Sequence, residues 1–399
     1  MKNISRREML RRSAFAAGAI MAMPAYLPAF GASQAAKIEI DRIQYVSNQP
    51  DIGFGWPTVG RRADNGELLV SCSGGRQSHV CPFGRIDLFR SYDDGKTWSW
   101  PQTIYDGPTD DRDSGLLVTD KGTLLITTFT SDYYTRELKK EEELRKAGKG
   151  RWTEEKFEQW QAAHRRIDDR QRKKEMGHWM FRSTDDGVNW DVRRKINPNS
   201  PHGPVQGFNG RLLYFASGTF IAGKYIFPLG VCQSTDDGMT WSTLGILPTE
   251  EFNKPDGRPP FWNELHGIEL SPGKLLVHIR NNDNGETWQT ESEDDGKTWT
   301  KPHAIGVWGL PSHLIRLKDG RLLMSYGYRR DPYRNQVRLS SDEGKTWSEP
   351  MMLSEPGPSR DLGYPSSVQL PDESIITVWY EKCPGDKFQS VRLAHWKLV

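Results

Sequence analysis

Residues able to do chemistry recur at two kinds of place in this chain. One set stands at the starts of short strand-like runs: Trp56, Asp113, His202, Glu264, His266, His313 and Tyr364. The other set stands where such runs end: Arg76, Arg280, Arg329, Arg330, Tyr380 and Glu381. A packed core would place Val and Ile at these points. Carboxyls, imidazoles, guanidiniums and phenols suit a polar pocket instead. Planar guanidinium forks bind carboxylates. Carboxyls and imidazoles deliver or remove protons. A phenol, with a pKa of about 10, attacks carbon only where a neighbouring base takes its proton. His266 and His313 lack the tight His/Asp spacing of a metal site, so no metal and no cofactor is expected.

A repeat supplies the elements that would position these residues. The phrase S-x-D-x-G-x-[TN]-W occurs five times, at Ser91 to Trp98, Ser183 to Trp190, Ser234 to Trp241, Ser292 to Trp299 and Ser340 to Trp347. Its Asp can bond the backbone two residues on, as an Asx-turn. Its Gly supplies positive φ, and its Trp is read as the start of the next strand. Each copy is thus a hairpin turn preceded by a short apolar run such as Leu68 to Val70 or Leu275 to Val277. A sixth unit, Tyr364 to Val399, has no such phrase, and the early strand Ile38 to Tyr45 can pair with it. That pairing closes a ring and hides the sheet edges. The predicted fold class is all-β: a six-bladed β-propeller with five of these turns. The starts of the innermost strands then face one axial pocket, and the ends of the second strands return to it.

The repeated phrase resembles the Asp-box of the sialidase superfamily, and the resemblance covers nearly the whole chain after the first segment. It implies the propeller fold, with the boxes on its outer rim. Gly363-Tyr364-Pro365-Ser366-Ser367, followed by Tyr380-Glu381, is similar to the family segment that holds a Tyr nucleophile. Asn263-Glu264, followed by Arg280-Asn281, is similar to the pair holding its Glu base and a carboxylate-binding Arg. Arg334 falls in the stretch that holds another clamp Arg, and Asp113 where the family has a substrate-binding Asp. The first blade departs from the pattern. Gly55-Trp56-Pro57 stands where the family has R-I-P, so the first clamp Arg is absent. No Asp stands in the place of the family's acid, and the titratable residue nearby is His79. The expected site is therefore Tyr364, Glu264 and His79 for catalysis. Arg280, Arg334, Asp113, Arg76, Trp56 and His266 are expected to bind substrate.

The first segment, residues 1–36, reads as an export signal. Ser5-Arg6-Arg7-Glu8-Met9-Leu10 is a twin-arginine pattern, followed by an apolar run to Met23 and small residues near Ala32 to Ala36. A periplasmic or secreted destination follows, and no stretch is long enough to span a membrane. This segment carries five basic residues against Glu8, a net of +4; the whole chain is +2, leaving 2 − 4 = −2 for residues 37–399. A slightly acidic protein is a poor partner for nucleic acid. Four cysteines form no disulfide framework, though Cys72 and Cys81 bracket a loop that a bridge could close. In the second blade, residues 134–176 are rich in Lys, Glu, Arg and Gln without Pro. They read as a helical hairpin broken near Gly148 and Gly150, either a solvated flap or a lid or dimer contact beside the site.

The expected function is that of a sialidase-like exo-glycoside hydrolase on a terminal acidic sugar of an extracellular glycan. One alternative is a polysaccharide lyase, or a glycosidase for a uronate, using His79 and Tyr364. The other is a propeller that binds carbohydrate without cleaving it. The oligomeric state is open.

Overall fold

The computed structural model describes residues 37–47, 49–217 and 229–399, with the backbone of 220–221 and 224–225. The export segment lies outside the described residues. The strands form six four-stranded antiparallel sheets, each a blade, and one further two-stranded ribbon. The innermost strands of blades one, two, four, five and six are Gly53–Arg61, Asp110–Val118, Trp262–Ser271, Ser312–Arg316 and Gly363–Gln369. In blade three that place is taken by the short Val205–Gln206. Ile38–Tyr45 is the outermost strand of blade six, running from Ile38 opposite Leu398 to Tyr45 opposite Arg392. The expected ring closure is thus made by the two ends of the described chain.

The core is not one mass. It is divided into apolar seams between successive blades. Phe54, Val70 and Phe89 of blade one meet Ile376, Val378 and Leu393 of blade six. Leu213, Phe215 and Val231 of blade three meet Leu275, Val277 and Ile279 of blade four. The Trp of each repeated turn wedges into the seam with the preceding blade: Trp98 between blades six and one, Trp299 between three and four, Trp347 between four and five. Blade six has no such turn, and Trp379 and Trp396 fill its seam with blade five.

Nearer the axis the blades are joined by polar groups. Ser71 meets Ser114 between blades one and two. Tyr214 donates to Thr127 at 3.2 Å between two and three, and Ser200 to the Leu265 carbonyl between three and four. His278 meets Ser312 at 3.0 Å, Ser325 meets Ser367 at 2.6 Å, and the Val59 amide donates to Ser366 at 3.2 Å. These bonds link every blade to the next. They explain why Ser and Thr, rather than Val and Ile, crowd the inner strands. Close approach matters too: a Cβ on Gly115 would lie 2.3 Å from the Gly203 nitrogen.

The turns differ from the Asx-turn expected from sequence. Asp93 accepts from the Thr97 amide at 2.9 Å and the Thr97 hydroxyl at 2.7 Å, four residues on. Ser91 donates to Asp93 at 2.8 Å and accepts the Gly95 amide at 2.9 Å. Burial would raise the Asp93 carboxyl, but these hydrogen bonds outweigh it and hold it at about 2. The Trp does not open a strand either: after Trp98 the outer strand Gln102–Tyr105 starts only once the indole is seated, its Nε1 donating to the Gly95 carbonyl at 3.2 Å.

The insert forms three helices, not the two expected: α1 (Tyr134–Lys146), α2 (Glu154–His164) and α3 (Asp169–Glu175). The first break falls at Gly148 and Gly150, as expected. The second follows from Asp168, whose side chain caps α3 in a reciprocal box with Gln171. Thr130 pairs with Gly177 across the base, so the insert leaves and re-enters blade two at one point. It is not a solvated flap. Tyr134, Leu138 and Trp160 pack on Cys81 with Val80 and Phe83 around them. Cys72 lies in a different seam, and both thiols are free.

Trp160 is 1% exposed and Cys81 is fully covered. Truncating a buried Trp to Ala costs about 3–5 kcal/mol where the site cannot collapse. We expect Trp160→Ala to make one further thiol react with dithiobis(nitrobenzoate) in the folded protein, while the ring still unfolds cooperatively. An unchanged thiol count would show that the insert does not shield Cys81.

Candidate functional site

At the axis four inner strands share a distortion. Strand register shifts between Gly55 and Thr58, Arg112 and Gly115, Asn263 and His266, and Gly363 and Ser366. Inside each shift one non-glycine residue has positive φ: Trp56 at 53°, Asp113 at 49°, Glu264 at 48° and Tyr364 at 51°. Such bulges re-aim a side chain, and the conformation is strained for L-residues. Blade three carries Gly203 at 76° in the corresponding segment. The bulges therefore turn Trp56, Asp113, Glu264 and Tyr364 toward one end of the axis.

Tyr364, Glu264 and Arg280 form one hydrogen-bonded group. The Tyr364 hydroxyl donates to Glu264 Oε1 at 2.8 Å. Arg280 Nη1 donates to the Tyr364 oxygen at 3.0 Å and to Glu264 Oε2. Pairing of Asn263 with Arg280 across the hairpin sets the Arg beside the Glu, and Asn282 holds its Nε at 2.8 Å. Burial first, then the Glu264 charge, push the Tyr364 hydroxyl above its ordinary value of 10.0, while Arg280 pulls the other way. The phenol is thus protonated at neutral pH, with a carboxylate already placed to accept its proton.

Asp113 faces the same group. Burial, then the Glu264 charge, raise its carboxyl to about 7, against Arg112, Arg76 and Arg280. Trp56 is 3% exposed and lies within contact of Tyr364 and Tyr380. The guanidiniums of Arg76 and Arg112 each sit 4.6 Å from its ring centre. Arg76 has little left for a ligand: it donates to Ser73 at 2.8 Å, to Asp110 at 2.9 Å and to the His79 carbonyl at 2.9 Å. Arg112 grips the same carbonyl at 2.8 Å. His79 itself is half exposed and touches Trp56 edge-on, ring centres 5.1 Å apart.

His266 is not on the rim of this group. It lies two residues beyond the Glu264 bulge and so sits deeper on the axis, against His202 and His313, with ring centres 5.7 and 4.4 Å away. The Leu314 amide donates to its Nδ1 at 3.1 Å. Burial holds all three imidazoles low, His313 at about 3. They form a floor, with a channel of about 250 Å³ on their other side. Among the described residues no group of His, Cys, Asp and Glu could hold a metal ion.

Arg334 opens the third strand of blade five, opposite Tyr328. Arg329, just past the end of the second strand, has its guanidinium 5.4 Å from the Tyr364 ring centre, and among the described residues its Nη2 has no hydrogen-bond partner. Arg329 shares the second-strand-end position of Arg76 and Arg280, and that shared place was the signal for it. Asp361, which bonds His79 at 3.0 Å and Tyr380 at 2.8 Å, had no signal, because it stands in an irregular loop between blades.

A six-bladed propeller is the architecture of a known class. Residues 155–377 match the family described as BNR repeat-like domain, and the chain belongs to that family, within the sialidase superfamily. A sialidase of Bacteroides fragilis is 26% identical over 239 residues, 54% of this chain and 41% of that one. A sialidase of Micromonospora viridifaciens is 28% identical over 246 residues, 53% of this chain and 36% of that one. The chain thus spans about two-fifths of the length of these curated relatives. A crystal structure of a protein of unknown function from Dyadobacter fermentans has a TM-score of 0.68 at 22% identity, covering 91% of this chain and 99% of that one.

The buried imidazoles set an expectation for stability. His178, His202, His266, His278 and His313 are all held below the ordinary 6.5 by burial, His278 at about 4. The unfolded chain takes up protons at these sites as pH falls through 6.5, and the fold does not. Stability is therefore lost on acidification from that point. Asp111 and Asp113, raised to about 7 by burial, act in the opposite sense, as do Asp87 and Glu381, whose carboxyls burial also raises, but they are four against five. We expect the Tm to fall steadily from pH 6.5 to 4. A Tm flat over that window would contradict this balance.

Proposed function

We propose that this protein is an exo-glycoside hydrolase that releases a terminal acidic sugar from a glycan. The observation that carries this reading is the 2.8 Å bond from the Tyr364 hydroxyl to Glu264, with Arg280 on both oxygens. A site that only binds has no use for a phenol paired with its own base. In the proposed first step the Tyr364 oxygen attacks the anomeric carbon while its proton passes to Glu264. The bond to the leaving oxygen breaks, and His79 protonates that oxygen. Water then attacks the same carbon as His79 takes a proton from it, and Tyr364 leaves and recovers its own proton from Glu264. Sugar and alcohol are released with one water consumed. Arg280, Arg334 and Arg329 bind the substrate carboxylate, and Asp113 contacts the sugar. The sialidase relatives support an acidic sugar. Trp56 stands where the family's pattern has an arginine, so the proposed carboxylate clamp departs from that pattern.

The test is a panel of sialosides, uronosides and neutral glycosides read by mass spectrometry. A hydrolase product carries the elements of water, a lyase product is an unsaturated sugar, and a binder returns the panel unchanged. Tyr364→Phe keeps the ring and removes one oxygen. We expect its Tm to stay within a few degrees of wild type and its turnover to fall by roughly 10³-fold or more. Full activity in this variant would end the reading.

We propose further that the protein is exported through the twin-arginine route, read from Arg6 and Arg7. Among the described residues no helix is long and apolar enough to cross a membrane. With Arg6→Lys and Arg7→Lys together, precursor is expected to accumulate in the cytoplasm, because the receptor reads the pair as an address. Normal periplasmic accumulation would refute this route.

A further inference from the structure

The loop that carries His79 is held from three sides. Arg76 and Arg112 bind the His79 carbonyl, and both guanidiniums are tied to the buried Asp110. The helical insert holds the loop on either side of His79: Trp160 Nε1 donates to Gln77 at 3.0 Å, and Arg166 donates to the Pro82 carbonyl at 3.0 Å. The third hold is on the ring itself. Its Nδ1 lies 3.0 Å from Asp361 Oδ1. Asp361 comes from the loop before blade six and is fixed in turn. The Tyr380 hydroxyl donates to Oδ1 at 2.8 Å, and Gln389 Nε2 donates to Oδ2 at 2.7 Å. With Nδ1 on the carboxylate and Trp56 against the ring, Nε2 is the nitrogen left for a ligand. Among the described residues nothing hydrogen-bonds it.

This is more than a loop histidine needs. A surface imidazole is solvated and turns freely, and its protonation state follows the solvent. Here a carboxylate fixes the ring's orientation and which nitrogen carries the proton. Burial would raise the Asp361 carboxyl, but its bonds to His79 and Tyr380 hold it at about 2, so it is ionised at neutral pH. Tyr380 links the pair to the reacting group, since its ring lies 5.9 Å from that of Tyr364.

We infer that Asp361 is a positioning residue that orients His79 and fixes its Nδ1, making the two a His–Asp dyad for proton transfer at the scissile bond. The inference rests on the hydrolase reading above. His79 stands in blade one near the place where the resemblance to the family leaves its acid Asp without a counterpart. In the first step the imidazolium Nε2–H gives its proton to the leaving oxygen as the glycosidic bond breaks. In the second step neutral Nε2 takes a proton from the attacking water. Asp361 stays ionised throughout.

The test compares two substrates of one sugar: an oligosaccharide, whose alkoxide leaves only when protonated, and a nitrophenyl glycoside, whose phenolate leaves unaided. Sialic acid is the first sugar used, then any other acidic sugar released in the panel. For His79→Gln we expect kcat/KM on the oligosaccharide to fall by roughly 10²- to 10⁴-fold, with a much smaller loss on the nitrophenyl glycoside. Asp361→Asn, which keeps the shape and removes the charge, should show the same split at about tenfold or more. Tyr364→Phe should lose both activities alike. If Asp361→Asn is unchanged, or loses both equally, the dyad is wrong and the hydrolase reading stands. If His79→Gln shows the split and Asp361→Asn does not, His79 acts without Asp361 and the inference also falls. If Tyr364→Phe keeps both activities, or no acidic sugar is released at all, the hydrolase reading falls and the dyad with it. Because Asp361 also holds Tyr380, Asp361→Glu is measured beside it; partial recovery of oligosaccharide cleavage supports the charge, and none overturns it.

Discussion

Four side chains reach the axis only because their backbones take a positive φ. For non-glycine residues that conformation costs on the order of 1–3 kcal/mol each, and it persists only where the surroundings over-determine it. In this ring they do. Each bulge lies between a regular hairpin outward and a neighbouring blade sideways, and the hydroxyl bonds between blades leave little room to relax. Tyr364 shows the result: the bulge sets the phenol on a carboxylate 100 residues away in sequence. Relaxing the bulge would turn the side chain away and break that contact. The strain and the chemistry therefore sit at the same atoms, and the seams between blades hold both.

The electrostatics follow from the same geometry. Bringing Asp113, Glu264, Tyr364 and Arg280 together out of water would be costly if the charges did not alternate. Arg280 answers Glu264, and Tyr364 stays neutral. Asp113, with its carboxyl raised to about 7, is the group that gives way. Around them Arg76, Arg112 and Asp110 form a second charged layer that binds protein rather than ligand. Its work is to stiffen the Trp56 face and the loop beyond it.

Much of the fold was legible because it is periodic. Five copies of one turn give the blade count, and the box-less end together with Ile38 to Tyr45 gives the closure. The turn's inner bonding was misread, because the same Asp can reach two residues on or four, and only the conformation decides. In the insert the Asp168 to Gln171 capping box was visible in the sequence but unused, so three helices were read as two. At the site, Tyr364, Glu264 and Arg280 were legible from short segments with distinctive neighbours. Arg76 was not, since nothing local says that Asp110, more than thirty residues on, takes its guanidinium. His266 misled for a simpler reason: residues near the start of an inner strand were all read as facing the pocket, whereas each step along the strand carries the side chain deeper. Asp361 had no pattern to belong to. Its importance comes entirely from what the fold brings to it.

The closure of the ring also has a consequence in time. The strand Ile38–Tyr45 pairs with Ser390–Leu398, the last strand of the chain. During synthesis Ile38–Tyr45 has no partner until Ser390–Leu398 has left the ribosome. Blade six, which carries Tyr364, cannot be completed before then. Contacts of such long sequence separation form slowly, because the chain must be ordered before they repay its entropy. Glu264 and Arg280 can be in place on blade four well before that, with the position across the axis still empty. The group of Tyr364, Glu264 and Arg280 is therefore assembled only late in folding, once blade six has joined blade four across the axis.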